Sequence, residues 1–314
     1  MILIKDGRVV DPETGLDETL DLIIEDGRIK EIGKFSESES YEKIISAKGK
    51  IVAPGLVDIH VHFRDPGFTY KEDVETGARS AAAGGYTTVV CMANTKPVID
   101  NVEVLKELEK REETLPIHVY NTAAVTMGLK GKELTDMPEL LKAGAIGFTD
   151  DGIPIKDEKL VMEAMKTAAQ LDVPISFHEE DPDLIGNSGI NSGEVARKLG
   201  LEGAPALAEE VLVARDCLLA LRTGAKINIQ HVSSEVSVQI IRLMKKMGAK
   251  VYAEVTPQHF SLTEEAVLRK GTLAKVNPPL RTEKDRYALI QGLREGVLDV
   301  IATDHAPHSP EEKN

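Results

Sequence analysis

The feature that most constrains this chain is a repeated alternation. From about residue 51 onward, short apolar runs rich in β-formers alternate with amphipathic stretches. The runs fall at 56–61, 87–92, 117–121, 145–148, 173–177, 225–229, 250–255 and 298–302, eight in all. Between them, 71–83, 102–111, 158–171, 206–221, 235–247 and 284–294 return apolar residues at every third or fourth position, the period of a helix with one buried face. Strands that are apolar on both faces need cover on both, as parallel strands joined by crossover helices have. Eight such strands close most economically into a (β/α)8 barrel, although a doubly wound open sheet shares the local pattern.

The first fifty residues have another texture. Asp6-Gly7 and Asp26-Gly27 each sit between apolar runs, which predicts two hairpins in a small β unit. The polar run 36–40 predicts a loop before a further strand at 43–45. With 38 Lys+Arg against 52 Asp+Glu the net charge is −14, which argues against nucleic acid as the main partner. No apolar stretch reaches the length of a membrane span, and the start lacks a basic segment followed by a long apolar one, so a cytoplasmic protein without membrane contact is expected. Cys91 and Cys217 lie far apart in apolar runs and read as buried free thiols.

The chemistry gathers at the ends of the predicted strands. His60 and His62 close the first, Asp150 and Asp151 follow the fourth, His178 ends the fifth, His231 the sixth, and Asp304 with His305 the eighth. In a barrel the C-terminal strand ends form the face that carries the active site, so these residues converge on one mouth. His60 and His62, two apart on a strand, point to the same side, as two ligands of one metal must. Imidazole and carboxylate without thiolate suit a catalytic Zn²⁺, with Mn²⁺, Co²⁺ or Fe²⁺ open on ligand type alone. The ligands exceed the need of one tetrahedral ion, so two ions sharing a bridging carboxylate are expected, and the reaction class is metal-assisted hydrolysis.

Several of these segments carry a resemblance. Pro54-Gly55-Leu56-Val57-Asp58-Ile59-His60-Val61-His62-Phe63-Arg64-Asp65-Pro66-Gly67 resembles the signature of dihydroorotases in the amidohydrolase superfamily. So do Gly84-Gly85-Tyr86-Thr87-Thr88 leading into Met92-Ala93-Asn94-Thr95-Lys96-Pro97, then Asn277-Pro278-Pro279-Leu280-Arg281 and Ala302-Thr303-Asp304-His305-Ala306-Pro307-His308. The resemblance implies a TIM-like (β/α)8 barrel over residues 53–314 and a small β-sandwich portion over 1–52. Relatives of this kind run on for roughly a hundred residues beyond such an end, so it also implies that a substrate loop, the last barrel helix and the strands completing the sandwich lie outside this sequence.

The same resemblance implies the roles. His60 and His62 would hold a first metal and His178 and His231 a second, with Asp304 completing the first shell and serving as general base and then acid. Many relatives bridge the ions with a modified lysine after the fourth strand; this chain reads Gly147-Phe148-Thr149-Asp150-Asp151-Gly152, and Asp151 matches the bridging aspartate of a bacterial subgroup. Asp150 is the second candidate, with a turn or cap as its alternative role. Arg64 would clamp the substrate carboxylate, with His62, Asn94, Asn277 and His308 around the substrate; its alternative is a surface ion pair with Asp65 or Glu72. The implied reaction is the zinc-dependent, reversible cyclisation of N-carbamoyl-L-aspartate to L-dihydroorotate in pyrimidine biosynthesis, with one or two Zn²⁺ per subunit, two expected. A homo-oligomer, a dimer, is expected, and some relatives associate with aspartate carbamoyltransferase. Hydantoinase or dihydropyrimidinase, allantoinase and a non-catalytic relative are the rivals; Arg64, Asn94, the absent lysine and the complete ligand set weigh against them. Of the other histidines, His118 is expected in the core, His259 near the mouth and His305 as an outer hydrogen-bond partner, while Glu179-Glu180-Asp181 reads as a solvated loop, with support of His178 as its other role.

Overall fold

A computed structural model describes every residue except Glu39, Asn187, Ser188 and Asn314. Of the predicted 36–40 loop, Glu39 lies outside the described residues and 36–38 carry no helix or strand. The chain divides into two compact units, Met1–Leu56 and Val57–Asn314. No described helix is long and apolar enough to cross a membrane.

The first unit is one five-stranded sheet built from β1 (Ile2–Asp11), β2 (Leu16–Glu25), β3 (Arg28–Gly33), β4 (Lys43–Ser46) and β5 (Ile51–Val52). Its order is β3-β2-β1-β4, with β5 also on β1. Asp26-Gly27 makes the expected hairpin between β2 and β3. Asp6-Gly7 does not turn the chain: β1 runs straight through it, the register to β2 shifting between Ile4 and Gly7. The pair is a bulge. Asp6 takes φ 59° and its N–H donates to Asp21 Oδ1 at 2.7 Å, while a Cβ on Gly7 would stand 2.6 Å from Val52 Cγ2. An Asp-Gly pair suits a positive-φ bulge as well as a turn, and packing made the choice.

The second unit holds β6 (Leu56–Val61), β7 (Tyr86–Cys91), β8 (His118–Asn121), β9 (Phe148–Thr149), β10 (Pro174–Phe177), β11 (Lys226–Ile229), β12 (Val251–Val255) and β13 (Val300–Ile301). Between them run α1 (Val74–Ala83), α2 (Val102–Glu112), α3 (Met137–Ala143), α4 (Glu158–Leu171), the short α5 (Glu194–Leu199), α6 (Leu207–Thr223), α7 (Glu235–Lys246), the short α8 (Pro257–Ser261) and α9 (Ala266–Lys270), and α10 (Glu283–Arg294). The strands order as β6-β7-β8 and β9-β10-β11-β12-β13. Parallel bridges Ala123↔Phe148 and Val61↔His305 join the two sets at both ends, which closes the barrel and rules out the open sheet.

Period two along the strands explains the core. Ile175 and Phe177, Ile227 and Ile229, and Val251, Ala253 and Val255 are buried in one cluster with the helices around the barrel. In α4 the buried stripe is Val161, Ala164, Met165 and Ala168, and Asp157 caps the helix by accepting from the Lys159 and Leu160 N–H groups. Cys91 and Cys217 are free and buried, as expected. His118 is corrected: it is exposed and stacks on Tyr120 at 6.4 Å, because the face of β8 it occupies carries no covering layer.

At the end of α2, Glu112 is buried, with Oε2 accepting from Asn121 Nδ2 at 2.7 Å and Oε1 without a partner. Burial pushes its carboxyl up to about 7, outweighing the Asn121 bond. Unfolded, it titrates near 4.5, so between these values the unfolded chain gives up a proton that the fold retains and stability falls as pH rises. E112Q, which keeps an acceptor for Asn121, is expected to melt a few degrees above the parent at pH 8 and alike at pH 4.5. Equal melting at both pH values would show that Glu112 carries no such cost.

Candidate active site

The predicted ligands meet at the C-terminal mouth of the barrel. His60 and His62 Nε2 are 3.3 Å apart, and Asp304 Oδ1 lies 3.5 and 3.2 Å from them. Asp151 Oδ1 is 3.5 Å from His60 Nε2 and its Oδ2 is 3.4 Å from His62 Nε2. On the other side, Asp151 Oδ1 stands 3.9 Å from His178 Nδ1, which is 2.9 Å from His231 Nε2. Two groups able to hold a cation result, His60, His62 and Asp151, and Asp151, His178 and His231, and Asp151 belongs to both. Arg64, His231 and Asp304 all take positive φ, at 61°, 32° and 49°, as residues held by a site rather than by local preference do.

The two neighbouring aspartates part company here. Asp150 turns away and accepts from the Val125 and Thr126 N–H groups and the Thr126 hydroxyl, so it braces the loop after β8. Burial raises its carboxyl to about 6. Asp151 is also buried, but the imidazoles of His62, His60 and His178 overcome the desolvation and hold its carboxyl well below the usual range. Asp304 behaves likewise: against burial, His60, His62 and His231 bring it down to about 2. His231 is pushed well below its ordinary value by burial and by His178 beside it.

These residues fit divalent metal. Asp151 Oδ1 is a buried carboxylate oxygen with no hydrogen-bond partner, set among four imidazoles. Three of the four have the outward nitrogen occupied: His60 Nδ1 by Glu254 Oε2 at 2.9 Å, His62 Nδ1 by Asn94 Oδ1 at 2.9 Å and His178 Nε2 by Glu180 Oε2 at 3.1 Å. The inward nitrogens then present lone pairs to the centre. Glu180 thereby corrects the solvated-loop reading, since Glu179 and Glu180 are both buried. Glu254 was missed, for nothing near it in sequence marks it.

A cavity of about 400 Å³ opens on this cluster, lined by Arg64, Asn94, Asn277, Asp304 and His308 among others. Arg64 pairs with neither acid beside it in sequence: Asp65 is taken by Arg111 and Glu72 by His305. Its Nε donates to Pro307 O at 3.1 Å and its Nη2 is 3.4 Å from His308 Nε2. Asn94 donates to Asp151 Oδ2 at 2.9 Å, so its amide steadies Asp151 and His62 together. His259 is buried away from the cavity lining, bonded to Thr256 Oγ1 and Pro278 O, where it braces the segment that carries Asn277. His305 contacts Glu72, not a ligand.

Histidines and aspartates at the mouth of a (β/α)8 barrel, in two groups that share one carboxylate, define a metal-dependent cyclic amidohydrolase. Residues 49–237 match the family model described as Dihydro-orotase-like. The chain belongs to the dihydroorotase family. It is 60% identical over 314 residues to a dihydroorotase of Clostridioides difficile, covering all of this chain and 75% of that one. It is 55% identical over 313 residues to a dihydroorotase of Clostridium acetobutylicum, covering 74% of it. Among solved structures it resembles L-hydantoinase (dihydropyrimidinase) from Arthrobacter aurescens, with TM-score 0.86, 25% identity and coverage of 99% of this chain and 70% of that one.

Proposed function

We infer that this chain catalyses the reversible cyclisation of N-carbamoyl-L-aspartate to L-dihydroorotate, a step of pyrimidine biosynthesis. The observation that carries the reading is Arg64, a guanidinium without a carboxylate partner among the described residues, facing the same cavity as the shared-carboxylate cluster. A cyclic amide that bears a carboxylate is the substrate such a pairing fits.

His60, His62 and Asp304 would hold one ion and His178 and His231 another, with Asp151 between them. Zn²⁺ suits this thiolate-free set, and the two groups that share Asp151 support two ions. When bound, such ions activate water as a nucleophile and polarise the amide carbonyl. The chain's own residues do the rest. Arg64 forms a forked pair with the substrate carboxylate, joined by Asn94, Asn277 and His308, and so fixes the ring against the cluster. Asp304, held ionised, takes the proton of the attacking water and returns it to the departing ring nitrogen; in the closing direction the order reverses. A homodimer and association with aspartate carbamoyltransferase rest on the resemblance alone and are tested by sedimentation and co-purification.

The deciding assay is ring opening of L-dihydroorotate, dihydrouracil and allantoin by zinc-loaded and chelator-stripped protein. Turnover of dihydroorotate alone, lost on stripping, is expected; preference for a neutral ring would move the reading to hydantoinase chemistry. Within that assay R64K should raise KM for dihydroorotate by about 10- to 100-fold, since an ammonium cannot make the forked pair. An unchanged KM would remove Arg64 from the substrate site.

A further inference from the structure

The interior of the barrel below the metal cluster is polar, and one chain of groups there leads to a ligand. His60 and Glu254 stand on β6 and β12, which have β13 between them, so their side chains meet inside the barrel. Both are fully buried, at 0% and 1% exposure. Glu254 Oε2 is 2.9 Å from His60 Nδ1, and its Oε1 accepts from Asn228 Nδ2 at 2.5 Å. Asn228 Nδ2 also donates to Ser176 Oγ at 3.2 Å. The other polar neighbour, Gln230, places its Nε2 3.4 Å from both ring nitrogens of His60 and favours neither.

This arrangement fixes a proton. Glu254 accepts at both oxygens, so His60 Nδ1 carries the hydrogen, and in the neutral ring, the form able to bind a cation, the lone pair is the one on Nε2, facing Asp151 and Asp304. The opposite tautomer would put a hydrogen on Nε2, where it blocks a cation, and would set an Nδ1 lone pair against a carboxylate oxygen. None of the other three imidazoles touches Glu254, so the effect is confined to the group that contains His60.

We propose that Glu254 is a positioning residue for the metal centre: it sets the tautomer and ring plane of His60 and thereby the affinity of one of the two cation sites. This rests on the metal reading above. Asn228 holds the Glu254 carboxylate from behind and is itself bonded to Ser176, which gives two polar lumen residues a role that the cavity chemistry does not use. The loss expected on removing such an outer partner is about 10- to 100-fold in metal affinity.

The test is Zn²⁺ titration of the whole metal-free protein against a chromogenic chelator, with melting of the metal-free forms measured beside it. E254M keeps the length of the side chain without an acceptor, and E254Q keeps an acceptor for His60 once the Asn228 amide turns. The expected result is that E254M weakens one Zn²⁺ equivalent by about 10- to 100-fold and leaves the other unchanged, while E254Q recovers most of the loss. Should E254M fold poorly, E254L takes its place with the same expected loss of one Zn²⁺ equivalent, and E254Q/N228D, which restores the acceptor chain, should bind both equivalents at least as tightly as E254Q. Equal affinity in E254M and the parent, equal weakening of both equivalents, or equal losses in E254M and E254Q would each overturn the proposal. A parent protein that binds no Zn²⁺ would overturn the metal reading itself, which sets that failure apart from the others.

Discussion

Asp304→Asn is expected to keep metal bound while lowering turnover of dihydroorotate by about 10²- to 10⁴-fold, the range that a positioned acid–base group supplies. The reason lies in one atom. Asp304 Oδ1 lies between His60 and His62 Nε2, and an asparagine can present an oxygen in the same place. What it cannot do is accept a proton from water and return it to the ring nitrogen. The measurement is kcat with metal content determined on the same sample. Turnover within threefold of the parent at full metal content would defeat the base role, and loss of metal together with activity would make Asp304 chiefly a ligand.

Asp151→Asn should have the larger effect on metal itself. Its carboxylate is the one group common to both clusters, and its Oδ1 has no other partner in the protein. An asparagine offers one neutral oxygen where the carboxylate turns two charged ones to the two groups, so it cannot serve both, and both Zn²⁺ equivalents should weaken, one of them by about 100-fold, with activity lost at ordinary zinc concentrations. D150N is the matched control. Asp150 faces the Val125 and Thr126 N–H groups, and an asparagine oxygen can still accept from them, so metal content should be kept. Metal loss in D150N but not in D151N would exchange the two roles.

The contrast between those neighbours shows where local reading ends. Both follow the fourth strand, and the motif match preferred Asp151, but only the packed loop at Thr126 shows which carboxylate is occupied elsewhere. His60 and His62 were legible because period two on a strand sends both to one side whatever surrounds them. For Glu179 and Glu180 the solvated-loop expectation fails and the alternative, support of His178, holds for Glu180; adjacent acids in sequence do not show which of them burial places under a histidine two residues away. Glu254 gave no sign at all; its meaning comes from His60, 194 residues earlier.

By itself, then, the sequence determined the eight apolar runs, the helical stripes between them and the placing of histidines and acids at strand ends. These are properties of neighbouring residues, governed by backbone period and side-chain polarity, and they hold before any long-range contact forms. Only the tertiary structure decided that the strands close rather than splay, that Asp6-Gly7 is a bulge, that Arg64 stays free of Asp65 and Glu72, and that Glu254 meets His60. Each of those depends on which distant groups burial brings into reach, and on which hydrogen-bond partner remains once water is excluded.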